Sequence, residues 1–169
     1  KTKREARLFT TFPNKMYKKV KPFVPALNAD ELKVFDKNKN PVHNYVDSIR
    51  FLAYRDNKIV GRIAGIVNHK LNYNNNKREV RFTRLDMIDD IEVTKSLLDA
   101  VINWAKTNFN ANHIIGPIGF TDLDRQGMLV DGFEELNLFI TIYNFPYYHK
   151  HLEQLGYVKD VDWLEKKIT

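Results

Sequence analysis

The residues best suited to chemistry lie in the last third of the chain. The segment Thr121-Asp-Leu-Asp124-Arg125-Gln-Gly127 sets carboxylates and a guanidinium just after a short apolar stretch, His113 to Ile118. In α/β architectures sites form where strands end. Asp122 or Asp124 could hold an amine or take its proton, and Arg125 suits a carboxylate or a phosphate. The competing reading is structural: a helix N-cap and surface turn for the aspartates, a surface ion pair for Arg125. Gly127 and Gly132 in the following stretch suit tight packing and a helix stop. Further on, Tyr143-Asn144 and Tyr147-Tyr148 bring three phenols and an amide close together. Tyrosines commonly fill a core with the hydroxyl at its edge. Two of the three read as core, and Tyr148 is the best site candidate.

Other chemistries are thinly supplied. The 169 residues contain no Cys, which removes a disulfide framework, a thiolate nucleophile and Cys-ligated zinc. His149 and His151 are two apart, so on a helix they diverge rather than share a metal, and no metal is expected. His113 begins an apolar stretch and reads as structural. The net charge of +6 favours anionic partners. Lys15-Met-Tyr-Lys-Lys-Val-Lys21 gathers four of the cations around one aromatic. A nucleic-acid patch is the sharper interpretation, but a solvated helix face ranks above it because no RNA- or DNA-binding motif accompanies it.

The elements that must position these residues follow from composition and pattern. Hydrophobic residues make up 43% of the chain and aromatics 12%, enough for one buried core over residues 1–169. No apolar run approaches the ~20 residues that span a bilayer, and no secretory leader is visible, so the expected location is cytoplasmic with no membrane partner. Residues 1–11 read as a short strand or lead-in. Phe12-Pro13 opens a helix, and Ala29 to Phe35 forms another. Ser48–Tyr54 and Lys58–Asn68 form a hairpin across Arg55-Asp-Asn57. Leu71 to Lys77 is a loop and Glu79–Met87 a third strand. A long helix then starts at Asp89-Asp90, with Leu97, Leu98, Val101 and Trp104 on its apolar stripe. Strands at 113–118, 138–143 and 158–168 and a helix at 147–155 complete the order. The sum is an α/β (α+β) domain with a mixed, largely antiparallel sheet flanked by helices.

That order, with Phe51-Leu-Ala-Tyr-Arg-Asp-Asn-Lys-Ile-Val-Gly61-Arg-Ile-Ala-Gly-Ile66 and the stretch from Tyr143-Asn144 to Leu155-Gly156-Tyr157, resembles the GNAT (acyl-CoA N-acyltransferase) fold. Gly116-Pro117, Gly127-Met-Leu-Val-Asp-Gly-Phe133 and Pro146-Tyr147-Tyr148 narrow the resemblance to an uncharacterised bacterial family of GNAT-like N-acetyltransferases. Its members are longer and carry a second GNAT-like half; the resemblance covers nearly all of this chain as the first half. It implies acyl transfer from acetyl-CoA or another acyl-CoA to an amine on a small molecule or peptide, with a second GNAT-like domain as partner. In that scheme Asp122 or Asp124 is the base, Tyr148 the proton donor, and Arg125, Tyr143 and Asn144 bind substrate in the cleft where the sheet splays.

Two departures from the GNAT pattern bear on this. The Gly-rich loop whose N–H groups hold the coenzyme A pyrophosphate is replaced by Asp89-Asp-Ile-Glu-Val-Thr94. One carboxylate about 4 Å from a phosphate costs roughly 1–4 kcal/mol, depending on solvation. Arg81 and Arg84 offset this, as cofactor-binding residues, only if they point toward the site. Leu152 also stands where many GNAT enzymes place their general-acid Tyr. Both departures argue against ordinary coenzyme A binding and favour the rival reading, a non-catalytic module packed against a second domain. A catalytic cleft requires Asp122, Asp124, Arg125 and Tyr148 to converge, with Tyr148 expected nearer the cleft than Arg125.

Overall fold

A computed structural model describes residues 2–121, 123–138 and 141–165. The elements run α1 (Lys3–Met16), α2 (Asn28–Val34), a 3-10 turn (Pro41–Asn44), β1 (Val46–Arg55), β2 (Lys58–Asn68), α3 (His69–Asn74), β3 (Glu79–Met87), α4 (Ile91–Phe109), β4 (His113–Ile115) and α5 (Tyr147–Gln154). The sheet order is β1-β2-β3-β4, antiparallel except for the parallel β3–β4 pair.

The hairpin forms as its sequence demands. Asp56 and Asn57 both take positive φ, 48° and 62°, which short polar residues tolerate and which matches the strand twist. β2 then separates two faces. Ile63 and Val67 join the core under α4, whereas Ala64 and Ile66 pack with Phe9, Phe35 and Phe120 on the α1/α2 side. α4 lies close on its face because Gly61 and Gly65 are there: a Cβ on Gly61 would stand 2.8 Å from Leu97, and one on Gly65 2.9 Å from Val101.

β3 carries an irregularity that matters more than any other. Arg62 pairs with Asp86 but Ala64 pairs with Thr83, so β3 holds one extra residue, and Arg84 within it has φ 53°. Such a bulge changes which face each later side chain occupies. Val80 and Phe82 enter the α4 core before it, and Leu85 and Met87 enter after it. Arg84 and Asp86 are thereby turned to the α1/α2 side, where Arg62 also points.

Several sequence expectations are corrected. α1 begins at Lys3, not Phe12, because Thr2 and Glu5 form a capping box: Glu5 N donates to Thr2 Oγ1 at 3.2 Å, and Thr2 N donates to Glu5 Oε2 at 2.7 Å. Pro13 sits near the helix end rather than its start. Within 71–77, α3 forms under an Asn68 cap, whose Oδ1 accepts from Leu71 N at 3.0 Å. The strand at 113–118 ladders only to Ile115. Of the expected strand at 138–143, Phe139 and Ile140 lie outside the described residues, and the rest makes one bridge, Gln126 to Thr141. Residues 158–165 form no ladder, and 166–168 lie outside the described residues. Val158, Trp163 and Leu164 are exposed there, so no buried face fixes a register.

Candidate functional site

The site grows from a hydrogen bond that Pro13 cannot make. With no N–H, Pro13 leaves the Phe9 carbonyl one turn earlier without its helical donor. Arg62 Nη1 supplies it at 2.8 Å, reaching across from β2. The same guanidinium donates through Nε to Asp86 Oδ2 at 2.6 Å, a directly opposite cross-strand pair that is almost fully buried. Asp86 Oδ1 accepts from the Tyr17 hydroxyl at 2.9 Å. Tyr17 and Tyr148 hydroxyls are 2.7 Å apart, and Met87 N donates to Tyr148 at 3.0 Å. Since the Tyr17 proton goes to Asp86, Tyr148 donates to Tyr17. One directional path therefore runs from the Met87 amide through two phenols to Asp86. Burial, then the charge of Asp86, raises both phenols well above the ordinary tyrosine value. Tyr147 donates to the Met87 carbonyl at 2.6 Å, so both backbone groups of Met87 that face the splayed side of β3 have phenol partners.

Beside this path lies a second cluster around Arg84. Its Nε and Nη2 donate to Glu31 at 3.2 and 3.1 Å, and Nη2 also reaches Asp124 Oδ1 at 2.8 Å. Asp124 further accepts from the backbone of Phe120 at 3.1 Å and of Arg125 at 2.8 Å. Burial works against both carboxylates, but the charge and hydrogen bonds of Arg84 outweigh it and hold Glu31 and Asp124 below their usual values. Burial likewise opposes the Arg84 charge; the two carboxylates reverse that and raise it.

A narrow cleft joins the two clusters, with about 40 Å³ of room inside it and its mouth open to solvent. Glu31, Arg62, Arg84, Asp86, Arg125 and Tyr143 line it, with Pro13, Phe23, Val24, Leu85 and Ile142 as apolar wall. Of the residues nominated from the sequence, Arg84, Arg125 and Tyr143 meet here, with Asp124 behind Arg84. Tyr148 does not line the cleft; it sits behind Tyr17, so Arg125 is nearer the cleft, the reverse of the expected order. Asn144 is buried and pins residue 129: Leu129 N donates to its Oδ1 at 2.7 Å and its Nδ2 donates to Leu129 O at 2.9 Å. Asp122 lies outside the described residues. The sequence reading missed Glu31, Arg62, Asp86 and Tyr17. The available signal was a charge embedded in an apolar strand, Gly61-Arg62-Ile63 and Leu85-Asp86-Met87. Within Lys15–Lys21 the lysines are exposed while Tyr17 is buried, which is the solvated-face pattern.

The start of α4 is arranged differently. Asp90 Oδ1 accepts from Glu92 N at 2.9 Å and Val93 N at 3.4 Å, and Arg55 closes over Oδ2 at 2.7 Å. His151 bridges Asp89 at 3.1 Å and Thr94 at 2.9 Å. The chain's own carboxylate thus occupies the N–H donors that would receive a pyrophosphate, and these residues do not fit that group. Arg81 and Arg84 do not offset it. Arg81 donates to Gly119 O at 3.4 Å beside Glu79, and the bulge turns Arg84 to the opposite face.

No family model matches the chain. Protein YghO of Escherichia coli is 29% identical over 164 residues, 96% of this chain and 41% of that protein. A bacterial ceramide synthase of Caulobacter vibrioides is 24% identical over 163 residues, 96% of this chain and 42% of that protein. The chain therefore spans about two fifths of the length of these curated relatives. Among solved structures, a predicted acetyltransferase from Clostridium acetobutylicum with acetyl-CoA superposes at TM-score 0.59 and 13% identity, covering 99% of this chain and 92% of that one. An aminoglycoside acetyltransferase from an uncultured soil metagenomic sample, in complex with sisomicin, gives 0.52 and 12%, covering 98% and 89%. The chain has the fold of the GNAT acetyltransferases. Among the described residues no helix is long and apolar enough to cross a membrane.

Proposed function

We propose that this domain serves N-acyl transfer, taking an amine-bearing acceptor in the Glu31–Asp86–Arg125 cleft. The observation that carries the reading is the pair of carboxylates, Glu31 and Asp86, lining an apolar-walled cleft beside the bulged strand of a GNAT fold. An ammonium group is held by such carboxylates and must lose a proton before it attacks an acyl carbon. Asp86 is anchored by the buried path through Tyr17 and Tyr148, so Tyr148 positions Asp86 through Tyr17 rather than touching substrate. Asp124 fixes Arg84 and the backbone of Arg125, and Asp122 stays a proposed base. The Caulobacter relative is named a ceramide synthase, which supports an amine carrying a long alkyl chain. The Clostridium structure holds acetyl-CoA, which supports a thioester donor, but one whose recognition does not use the first turn of α4.

The test is amide formation, read by mass spectrometry, from a panel of acyl thioesters and primary amines. Amide from at least one pair is expected, reduced in Glu31→Gln and Asp86→Asn. No amide from any pair, with folded protein, refutes transfer.

A second reading, a non-catalytic module packed on a second GNAT-like domain, is favoured by one observation. Leu123, Val130, Leu136 and Leu138, and on the far side of α5 Val158, Val161, Trp163 and Leu164, are exposed apolar residues in the last third of the chain. Large exposed apolar patches mark contact surfaces. Stable association with the remainder of a longer homologue, without amide formation, would select it.

A further inference from the structure

We propose that Arg125 and Tyr143 form a subsite for an anionic oxygen group, a carboxylate or a phosphate monoester, so that the acceptor is a zwitterionic amine. This rests on the reading of the cleft as an amine site and specifies what else the acceptor carries.

Three guanidiniums line the cleft. Arg62 is satisfied by Asp86 and the Phe9 carbonyl, and Arg84 by Glu31, Asp124 and Thr83. Arg125 alone among them makes no side-chain hydrogen bond or ion pair with any described residue. Yet it is partly buried, and burial lowers its pKa against the opposing charge of Glu31. Partly desolvated cations without partners are costly and uncommon in folded proteins. Arg125 is also held in place: its backbone N donates to Asp124, which Arg84 fixes.

Tyr143 lines the same cleft, buried, with a hydroxyl that makes no hydrogen bond among the described residues. Burial, then Glu134, raises its pKa, so it stays a neutral donor. A guanidinium fork and a phenol O–H both donate, and both suit an oxyanion. Charge balance gives the rest of the ligand. Arg62, Arg84 and Arg125 face Glu31, Asp86 and Asp124, three cations against three anions. A ligand that brings one ammonium to the carboxylates and one carboxylate to Arg125 preserves that neutrality, and an aminoalkyl phosphate, at about −1.5 to −2 on its phosphate, exceeds it by up to about one negative charge. A plain amine leaves Arg125 unpaired.

The experiment is calorimetric titration of the full chain with matched probes, without acyl donor: octylamine, 2-aminooctanoate and an eight-carbon aminoalkyl phosphate. The expected result is tighter binding of an anionic amine than of octylamine, by about tenfold or more. The two anionic probes show which group the subsite takes. Arg125→Gln should bring that ratio near one, Arg125→Lys should keep part of it, and Tyr143→Phe should reduce it less; melting temperature confirms folding of each. Equal or tighter binding of octylamine, binding of no probe, or an unchanged ratio in Arg125→Gln overturns the proposal. Amide formation is read separately. A chain that binds these probes yet makes no amide keeps this inference and loses the transfer reading. A chain that acylates octylamine while ignoring the anionic probes does the reverse.

Discussion

The start of α4 and the Arg125 cleft are both places where an anion could sit, and they have been resolved in opposite ways. At α4 the donors are backbone N–H groups, and the chain closes them with Asp90 and covers Asp90 with Arg55. In the cleft, two guanidiniums are closed by carboxylates and a third is left open. The contrast shows that an anion site needs donors the chain has not already spent, whatever the local charge. Six charged side chains gather around the cleft, yet only one has a donor set without a partner among the described residues.

The largest effect should come from the closed side of the cleft. Asp86→Ala leaves Arg62 buried without its charge partner and Tyr17 without its acceptor, and should destabilise by about 3–5 kcal/mol in denaturant melts. Arg62→Met with Asp86→Leu should recover only part, because the Phe9 carbonyl loses its donor at about 1–3 kcal/mol and the Tyr17 hydroxyl keeps only Tyr148. Full recovery would show that these hydrogen bonds contribute nothing and that the pair is dispensable.

Next comes the acid limb of stability. Against their burial, Arg84 holds the Glu31 and Asp124 carboxyls below the ordinary carboxylate range in the folded chain. Such carboxylates bind fewer protons when folded, so their contribution is present above the ordinary values and is lost as pH falls through the folded ones. Glu31→Gln should therefore flatten the decline in melting temperature below about pH 4.5. An unchanged acid limb would mean that Arg84 does not hold Glu31.

The closed state of α4 is tested by opening it. The wild type should show no sub-micromolar affinity for coenzyme A in calorimetry. Replacing Asp89, Asp90 and Glu92 together by Asn, Gly or Ser should strengthen whatever binding exists, and because each of these still caps a helix, stability should fall by only about a few tenths of a kcal/mol. Sub-micromolar binding by the unmodified protein would erase the contrast between the two places. The smallest effect belongs to the open cation: Arg125→Gln should change stability by less than about 1 kcal/mol, since no described partner is lost. A large loss would show that Arg125 is structural.

Much of the scaffold was legible because its causes are local. Alternating apolar residues and Asp-Asn between them set the β1–β2 hairpin, and the 3.6-residue stripe with its Asp90 cap set α4. Gly61 and Gly65 needed only the knowledge that a helix packs over them. The same locality explains the error at α1: Thr2-Lys-Arg-Glu5 is a capping box, and Pro13 drew the helix start to the wrong place. Arg125 and Tyr143 were identifiable as polar and aromatic candidates near a strand end, but not as neighbours.

What only the tertiary structure decided is which side each charge faces. One extra residue in β3 changes the parity of everything after it, carrying Arg84 and Asp86 away from α4 and into company with Arg62 and Glu31. No periodicity in the sequence announces a bulge at Arg84, because a register shift is a property of two strands together. Tyr17 and Tyr148 lie far apart in the chain and meet only once α1, β3 and α5 have packed. The amino-acid sequence by itself determined the β1–β2 hairpin, β3 and α4, since their signals are short-range; the long-range pairing of β2 with β3 determined which charges are satisfied and left Arg125 facing the cleft.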